Sequence, residues 1–250
     1  MILIVLIGAN NTNEGVLVKN GIILFVLIIF LFSCATTAYD VNMSNAHYQM
    51  GLSYINEGKK QMAFVEFQKA IELNADNKEA LNALGVVYLE FDDLKNAEET
   101  FLRAIKVDQN FPEAYSYLGV TYGRMGRWSD AISAFKTAIK NHFYKRPDIA
   151  YNGLGEVYYR SGRFDDAIDS YKEAIKRNQD FYRPYYGLAL CFNAKGLYGE
   201  AASAMTRAID IDPLFKGDRD KAIEYLNKKR IEAGDKELKD TLDYLEILNY

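Results

Sequence analysis

Three glycines, Gly51, Gly85 and Gly119, follow one another along the chain at intervals of 34 residues. Around each lies the same pattern, which is clearest from Pro112 to Ile139. The pattern predicts two short amphipathic helices, A and B, joined by a turn at a glycine, with small residues where the two backbones approach. A single hairpin of this kind cannot bury its apolar face, so it must stack on copies of itself.

The chain supplies five such copies, at residues 44–77, 78–111, 112–147, 148–181 and 182–215. In the second copy, Asp92 takes the place of the turn glycine. A 34-residue period with these residue types is the signature of the tetratricopeptide repeat (TPR), which the chain therefore resembles. The resemblance implies an all-α fold, a right-handed superhelix of helix-turn-helix units whose concave face is formed mainly by the A helices. Residues 216–250 are expected to form C-terminal capping helices, because a repeat array needs an atypical end.

The first 33 residues have the features of a signal peptide. Residues 21–33 form an uninterrupted apolar run, which is too short to span a bilayer comfortably and has the length of a signal-peptide core. Lys19 precedes the run, and translation from Val18 would give an ordinary precursor. An uncleaved signal anchor is the alternative.

The sequence from Leu31 to Cys34 resembles the lipobox of bacterial lipoproteins, although Phe32 departs from its usual residues. That resemblance implies lipidation of Cys34, cleavage before it, and a mature protein held at the outer membrane and facing the periplasm. Residues 34–43 show no periodicity and are expected to form a lipidated tether.

No pattern in the sequence indicates catalysis. The phosphate-binding, metalloprotease, hydrolase and dinucleotide motifs are absent, and the two cysteines and two histidines lack the spacing of metal ligands. The net charge is −4 and no stretch of the sequence is rich in lysine and arginine, so the sequence does not indicate a basic surface for nucleic acid. We therefore expect no enzyme activity, no cofactor, no metal site, no nucleic-acid partner and no small-molecule substrate. Cys191 is expected to be a small buried apolar residue.

The architecture instead offers a groove that binds a protein or peptide. Helix A positions that avoid the core should line it, and they carry apolar side chains, asparagines and tyrosines with few charges, which suits an extended peptide or a helix. The lysine and asparagine clamp of chaperone-tail binders is absent, since Tyr48 and Leu52 occupy its first-repeat positions. Some candidates will only pack between repeats. The candidates are Tyr48, Leu52, Asn82, Val86, Ser116, Val120, Asn152, Glu156, Tyr159 and Tyr186.

The third repeat ends in a longer segment than the others, because Gly155 lies 36 residues after Gly119. Pro147 must end any preceding helix, so an aromatic and basic loop is expected from Asn141 to Pro147. Its candidate contact residues are His142, Phe143, Tyr144 and Lys145. The loop is either a long turn whose Phe143 or Tyr144 fills the core, or a specificity loop for a partner.

The lipobox, the short tether, the repeats and the segment from Asn141 to Gly155 together resemble the type IV pilus biogenesis lipoproteins. These are pilotins, which help a secretin to localise and assemble in the outer membrane. The resemblance implies a non-catalytic scaffold that binds a secretin subunit. The alternative is a periplasmic TPR lipoprotein that serves as an adaptor for peptidoglycan enzymes or for outer-membrane barrel assembly.

Overall fold

The protein is described from a computed structural model, which covers residues 38–232 and 234–250. Over these residues the regular secondary structure is helical, with no strand, which confirms the expected all-α repeat fold. The helices are α1 at residues 38–56, α2 at Lys60–Leu73, α3 at Lys78–Glu90, α4 at Leu94–Val107, α5 at Pro112–Arg124, α6 at Trp128–Lys140, α7 at Pro147–Arg160, α8 at Phe164–Arg177, α9 at Arg183–Ala194, α10 at Tyr198–Ile211, α11 at Arg219–Glu232 and α12 at Asp235–Ile247. The chain divides into two compact units, one ending at Ala80 and one beginning at Leu81.

The first unit contains the hairpin of α1 and α2. Residues 38–43, which we expected to belong to an irregular tether, are helical and extend α1 beyond the repeat. Neither glycine nor proline interrupts them, so a helix that packing stabilises further along can continue through an exposed segment. The signal sequence and Cys34 lie outside the described residues.

Within this unit, the hairpin closes through a buried aromatic ring and a polar contact. Phe67 of α2 is completely buried, and a Cβ placed on Gly51 of α1 would lie 2.4 Å from its ring. Ser44, also fully buried, donates a hydrogen bond to the carbonyl of Ala70 at 2.7 Å and accepts one from the Asn77 side chain at 2.8 Å. Glycine therefore lets the two backbones approach until the ring fills the space between them.

The second unit repeats this arrangement and adds a contact to the following hairpin. Phe135 of α6 lies between Gly119 of its own A helix and Gly153 of the next A helix, where an added Cβ would come within 2.9 and 2.5 Å of the ring. Tyr171 of α8 lies in the same way between Gly155 and Gly187. Each ring thus belongs to two repeats at once, which is why one hairpin cannot fold without its neighbour.

The turns between helices A and B require a left-handed backbone. Gly126, Gly162 and Gly196 have φ values of 74 to 76°, and Asp92 occupies the equivalent place with φ 60°. Aspartate tolerates this region better than most residues because its short polar side chain can interact locally. Here the Asp92 carboxylate accepts a hydrogen bond from Arg124 at 2.8 Å.

The C-terminal helices do not continue the repeat. α12 folds back onto α9 of the fifth repeat and reaches α7 of the fourth, so it lies across A helices. Its inward face carries the buried Thr241 together with Tyr244 and Ile247, which are spaced by three residues, and Tyr244, Ile247 and the following Leu248 pack on the fifth repeat. The C-terminal segment is therefore part of the second unit's core as well as its end.

Candidate functional site

The A-helix positions singled out from the sequence are not equally available to a partner. In the first unit, Tyr48 and Leu52 are half-buried, and the Tyr48 ring lies 6.1 Å from that of Phe67. Burial and the nearby Glu79 raise the pKa of Tyr48. These two side chains contribute to packing as well as to the surface of α1.

Two further candidates lie on α3. Asn82 and Val86 are half-buried. The Oδ1 atom of Asn82 is buried and has no hydrogen-bond partner among the described residues. Val86 packs against the cluster around Phe101 and Leu118.

Ser116 does not line an open groove. It is only 3% exposed and lies next to the hydroxyl of Tyr144, from the loop after the third repeat. The helical period placed it correctly on the inner side of α5, but the longer loop, whose path the period does not predict, covers it.

The remaining candidates converge. Val120 and Glu156, together with Gly123, line an open cavity of about 530 Å³ between the second, third and fourth repeats. Arg124 and Arg160 stand on its wall together with Asp92 and Glu237. The cavity thus combines an apolar floor with charges of both signs, which suits a peptide or a helix better than a polyanion.

Asn152, Glu156, Tyr159 and Tyr186 line a second cavity of about 250 Å³, whose opposite wall is formed by Asp240 and Tyr244 of α12. The chain's own C-terminal helix therefore lies over the A helices of the fourth and fifth repeats. The sequence analysis did not predict this placement. The apolar residues at the end of the chain, between Leu245 and Tyr250, were the signal that this segment packs against another surface.

Specific contacts hold α12 there. Arg160 of α7 donates to both carboxylate oxygens of Asp240, and the ring of Tyr244 meets that of Tyr186 edge-on at 5.5 Å. At the far end, the hydroxyl of Tyr250 donates to Asn193 at 2.7 Å. A bidentate pair, an aromatic contact and a terminal hydrogen bond fix both the register and the direction of the helix.

Burial dominates the electrostatics of this region. It raises the pKa of Tyr159, an effect strengthened by Asp240, and that of Tyr186, where Asp212 adds to it. Burial also raises the pKa of the Cys191 thiol to about 12, so this completely enclosed side chain stays protonated at neutral pH. Neutral, buried groups of this kind contribute packing and hydrogen bonding, and the nucleophilic thiolate form is not accessible.

The inserted loop is present at residues 141–146, between α6 and α7. Its aromatic side chains point in opposite directions, since Tyr144 is 8% exposed and Phe143 is 91% exposed. Burial raises the pKa of Tyr144 to about 12. Tyr144 thus fills the core, and Phe143 is left in solvent between the exposed His142 and Lys145.

The loop is held at its far end by Asp148, which is buried in the first turn of α7. Its carboxylate accepts from Arg146 at 3.1 and 2.9 Å and from Asn178 at 3.3 Å. Burial opposes ionisation of Asp148, but these donors outweigh it and lower its pKa. The loop therefore presents Phe143 from a fixed base.

Neither a metal centre nor a membrane-spanning segment is found among the described residues. No three histidine, cysteine, aspartate or glutamate side chains come together there as ligands of an ion. None of the described helices combines the length and apolar character needed to cross a bilayer.

Comparison with known proteins agrees with the repeat arrangement. Tetratricopeptide-repeat models match residues 44–77, 78–111, 100–133, 118–180 and 153–214. Together these matches run without a gap from residue 44 to residue 214. No curated protein matches the chain in sequence at a significant level.

Solved structures share the fold. The crystal structure of PilW, described as a widely conserved type IV pilus biogenesis factor, aligns with TM-score 0.65 and 20% identity, covering 80% of this chain and 98% of PilW. PilF of Pseudomonas aeruginosa aligns with TM-score 0.63 and 20% identity, covering 84% and 98%. MamA aligns with TM-score 0.56 and 28% identity, covering 65% and 94%.

Three observations lead to one conclusion. The repeat models span more than half of the chain, the glycine and aromatic contacts recur at the repeated positions, and helical hairpins follow one another along the sequence. The chain belongs to the tetratricopeptide-repeat family.

Proposed function

We propose that this protein is a non-catalytic scaffold that binds another envelope protein, and that its partner is a secretin subunit, as for a pilotin of type IV pilus biogenesis. The fold itself is one that binds proteins or peptides. The observation that carries the finer proposal is the alignment with PilW and PilF, each of which is covered almost completely by this chain.

The open cavity supports binding of a polypeptide segment. Its apolar floor at Val120 and Gly123 can accept side chains, while Arg124 and Arg160 can pair with acidic groups at its edge. Arg124 already donates to the Leu89 carbonyl at 2.7 Å and to Asp92 at 2.8 Å, so its guanidinium is held in position. A segment bound there would contact three repeats, and a rigid, preformed groove lowers the entropy cost of binding it.

The loop supplies a second contact in this proposal. Phe143 is a large apolar side chain that is almost wholly exposed, on a loop fixed by Tyr144 and Asp148. An aromatic residue presented in this way can become buried when a partner docks, as the anchor residues of interfaces do.

Membrane attachment through Cys34 completes the proposal. The lipobox-like sequence before this residue supports lipidation and an outer-membrane location facing the periplasm. Replacing Cys34 by serine should leave the repeats folded and release the protein from the membrane fraction, because the acyl chains provide the attachment. The measurement is fractionation of membranes washed with carbonate, and Cys34→Ser protein that stays in the pellet would rule out the lipid anchor.

A complementation experiment tests the function. Cells in which the gene is deleted express the wild-type protein or a variant, and the secretin multimers that they assemble are measured. Val120→Glu replaces an apolar side chain of the cavity floor by a charged one, and Phe143→Ser removes the exposed ring, so both should reduce secretin multimers several-fold. Thr137→Glu, on the exposed face of α6, and Ile231→Ser, which removes an exposed apolar side chain of α11, are the matched controls. Normal multimers with both Val120→Glu and Phe143→Ser would argue against the groove and the loop as the binding surfaces.

A further inference from the structure

The last helix of the chain lies in the groove like a bound ligand. α12 directs Asp240, Thr241, Tyr244 and Ile247 towards the repeats, while Leu242 on its other face is 46% exposed. Its contacts are those of an amphipathic helix in a groove, with inward residues three and four positions apart. The seat is formed by Arg160 and Tyr159 of α7 and by Tyr186 of α9.

The contact at Arg160 differs from that of the equivalent residue in the preceding repeat. Arg124 occupies the same place in α5 and pairs with Asp92, the turn residue of the second repeat. The third repeat has Gly126 at that turn. Arg160 consequently has no turn carboxylate to pair with, and it is Asp240 of α12 that provides one. The fourth repeat therefore presents an arginine to whatever acidic helix occupies the groove.

Open clefts flank α12 in its seat. Cavities of about 250 and 450 Å³ lie beside α12 and are lined in part by Asp240 and Tyr244. The open cavity of about 530 Å³ begins at its first turn, beside Glu237. These cavities are clefts that open to solvent, so the surface beside α12 can accept further side chains of a bound segment.

We propose that the A helices of the fourth and fifth repeats form a receptor for an amphipathic helix that carries an acidic residue and, four positions later, an aromatic residue. α12 is the internal occupant of this receptor, and a partner helix with the same pattern replaces it. The inference rests on the proposed function, because that partner helix would belong to the protein that the scaffold binds. Beyond the proposed function, the inference specifies the residue pattern of the bound segment and its competition with α12.

The linkage between α11 and α12 makes this competition measurable. Only residues 233–234 separate the two helices, so α12 is present at its seat at an effective concentration on the order of millimolar. A free peptide at micromolar concentration therefore cannot enter while α12 is seated. Weakening the seating of α12 should open the receptor to the same sequence added in trans.

The experiment uses the full chain and a fluorescent peptide of residues 235–250. The Tyr244→Ala variant of the chain should bind the wild-type peptide at least ten-fold more tightly than the wild-type chain does. A peptide that itself carries Tyr244→Ala should bind this variant at least ten-fold more weakly. Leu242→Ala is the matched control, since it shortens a side chain on the outward face of the same helix, and it should behave like the wild-type chain.

A charge variant distinguishes the loss of one specific contact from general unfolding of α12. Asp240→Arg in the full chain opposes Arg160 and should also admit the wild-type peptide, whereas Asp240→Arg together with Arg160→Asp should exclude it again. Equal peptide binding by the wild-type, Tyr244→Ala and Asp240→Arg chains, or no binding by any of them, would overturn the proposal. Capture of the secretin is measured in a separate experiment. If the peptide binds as expected but no secretin is captured, the pilotin function is wrong and the helix receptor still stands.

Discussion

Replacing Phe135 by alanine is expected to lower the free energy of unfolding by about 3–5 kcal/mol, the usual cost of deleting a large buried ring. The ring is 1% exposed and is enclosed by Gly119 and Gly153, from two successive A helices. Neither glycine has a side chain that can fill the cavity, so relaxation around the alanine is limited. The loss should also weaken the junction between the third and fourth repeats.

Urea denaturation followed by circular dichroism measures this effect. The matched control is Phe143→Ala, the same chemical change at a ring that is 91% exposed, which should alter stability by no more than about 0.5 kcal/mol. A similar loss for both variants would mean that the sandwiched ring is not what joins the repeats.

Adding one methyl group at Gly187 is expected to destabilise the protein by about 1–3 kcal/mol, the range found when a packed core is overfilled. A Cβ at this position would lie 2.2 Å from Cζ of Tyr171, whose ring is almost fully buried. One of the two elements must move, although alanine is intrinsically the better helix residue by about 1 kcal/mol. Thermal or urea denaturation of Gly187→Ala shows whether the free energy of unfolding falls or rises.

Gly199 is the matched control, because it also lies in a helix, α10, and an added Cβ there meets nothing within 4 Å. Gly199→Ala should therefore leave stability unchanged or raise it by up to about 1 kcal/mol. Shortening the opposing ring with Tyr171→Leu should make the Gly187→Ala penalty smaller, with a coupling of about 0.5–3 kcal/mol. Additive effects of the two changes would contradict the close contact.

The sequence was sufficient to predict the elements that repeat. The 34-residue period placed the helical hairpins, and the clearest copy of the pattern, which begins at Pro112, opens with a helix from Pro112 to Arg124. The insertion after Gly119 and the position of Pro147 also predicted the loop, because both depend only on local backbone chemistry. What repeats along the chain can be predicted from the chain alone.

Features that depend on non-repeating contacts could not be predicted in the same way. The apolar end of the chain was visible, but periodicity does not tell which surface an amphipathic helix will cover, and α12 covers Tyr159 and Tyr186. For the loop, composition left Phe143 and Tyr144 equivalent, and only the structure separates the exposed ring from the buried one. The burial of Ser116 could not be predicted for the same reason, since Tyr144 of the loop that covers it lies 28 positions further along the chain.

Affinity capture from detergent-solubilised membranes tests the central claim, that this scaffold binds a secretin subunit. The full chain should recover the secretin, and the Val120→Glu variant should recover several-fold less at equal protein concentration and unchanged helicity. Thr137→Glu, exposed on the B helix of the same repeat, should recover as much as the wild type. Recovery of peptidoglycan hydrolases or barrel-assembly proteins without secretin would contradict the claim.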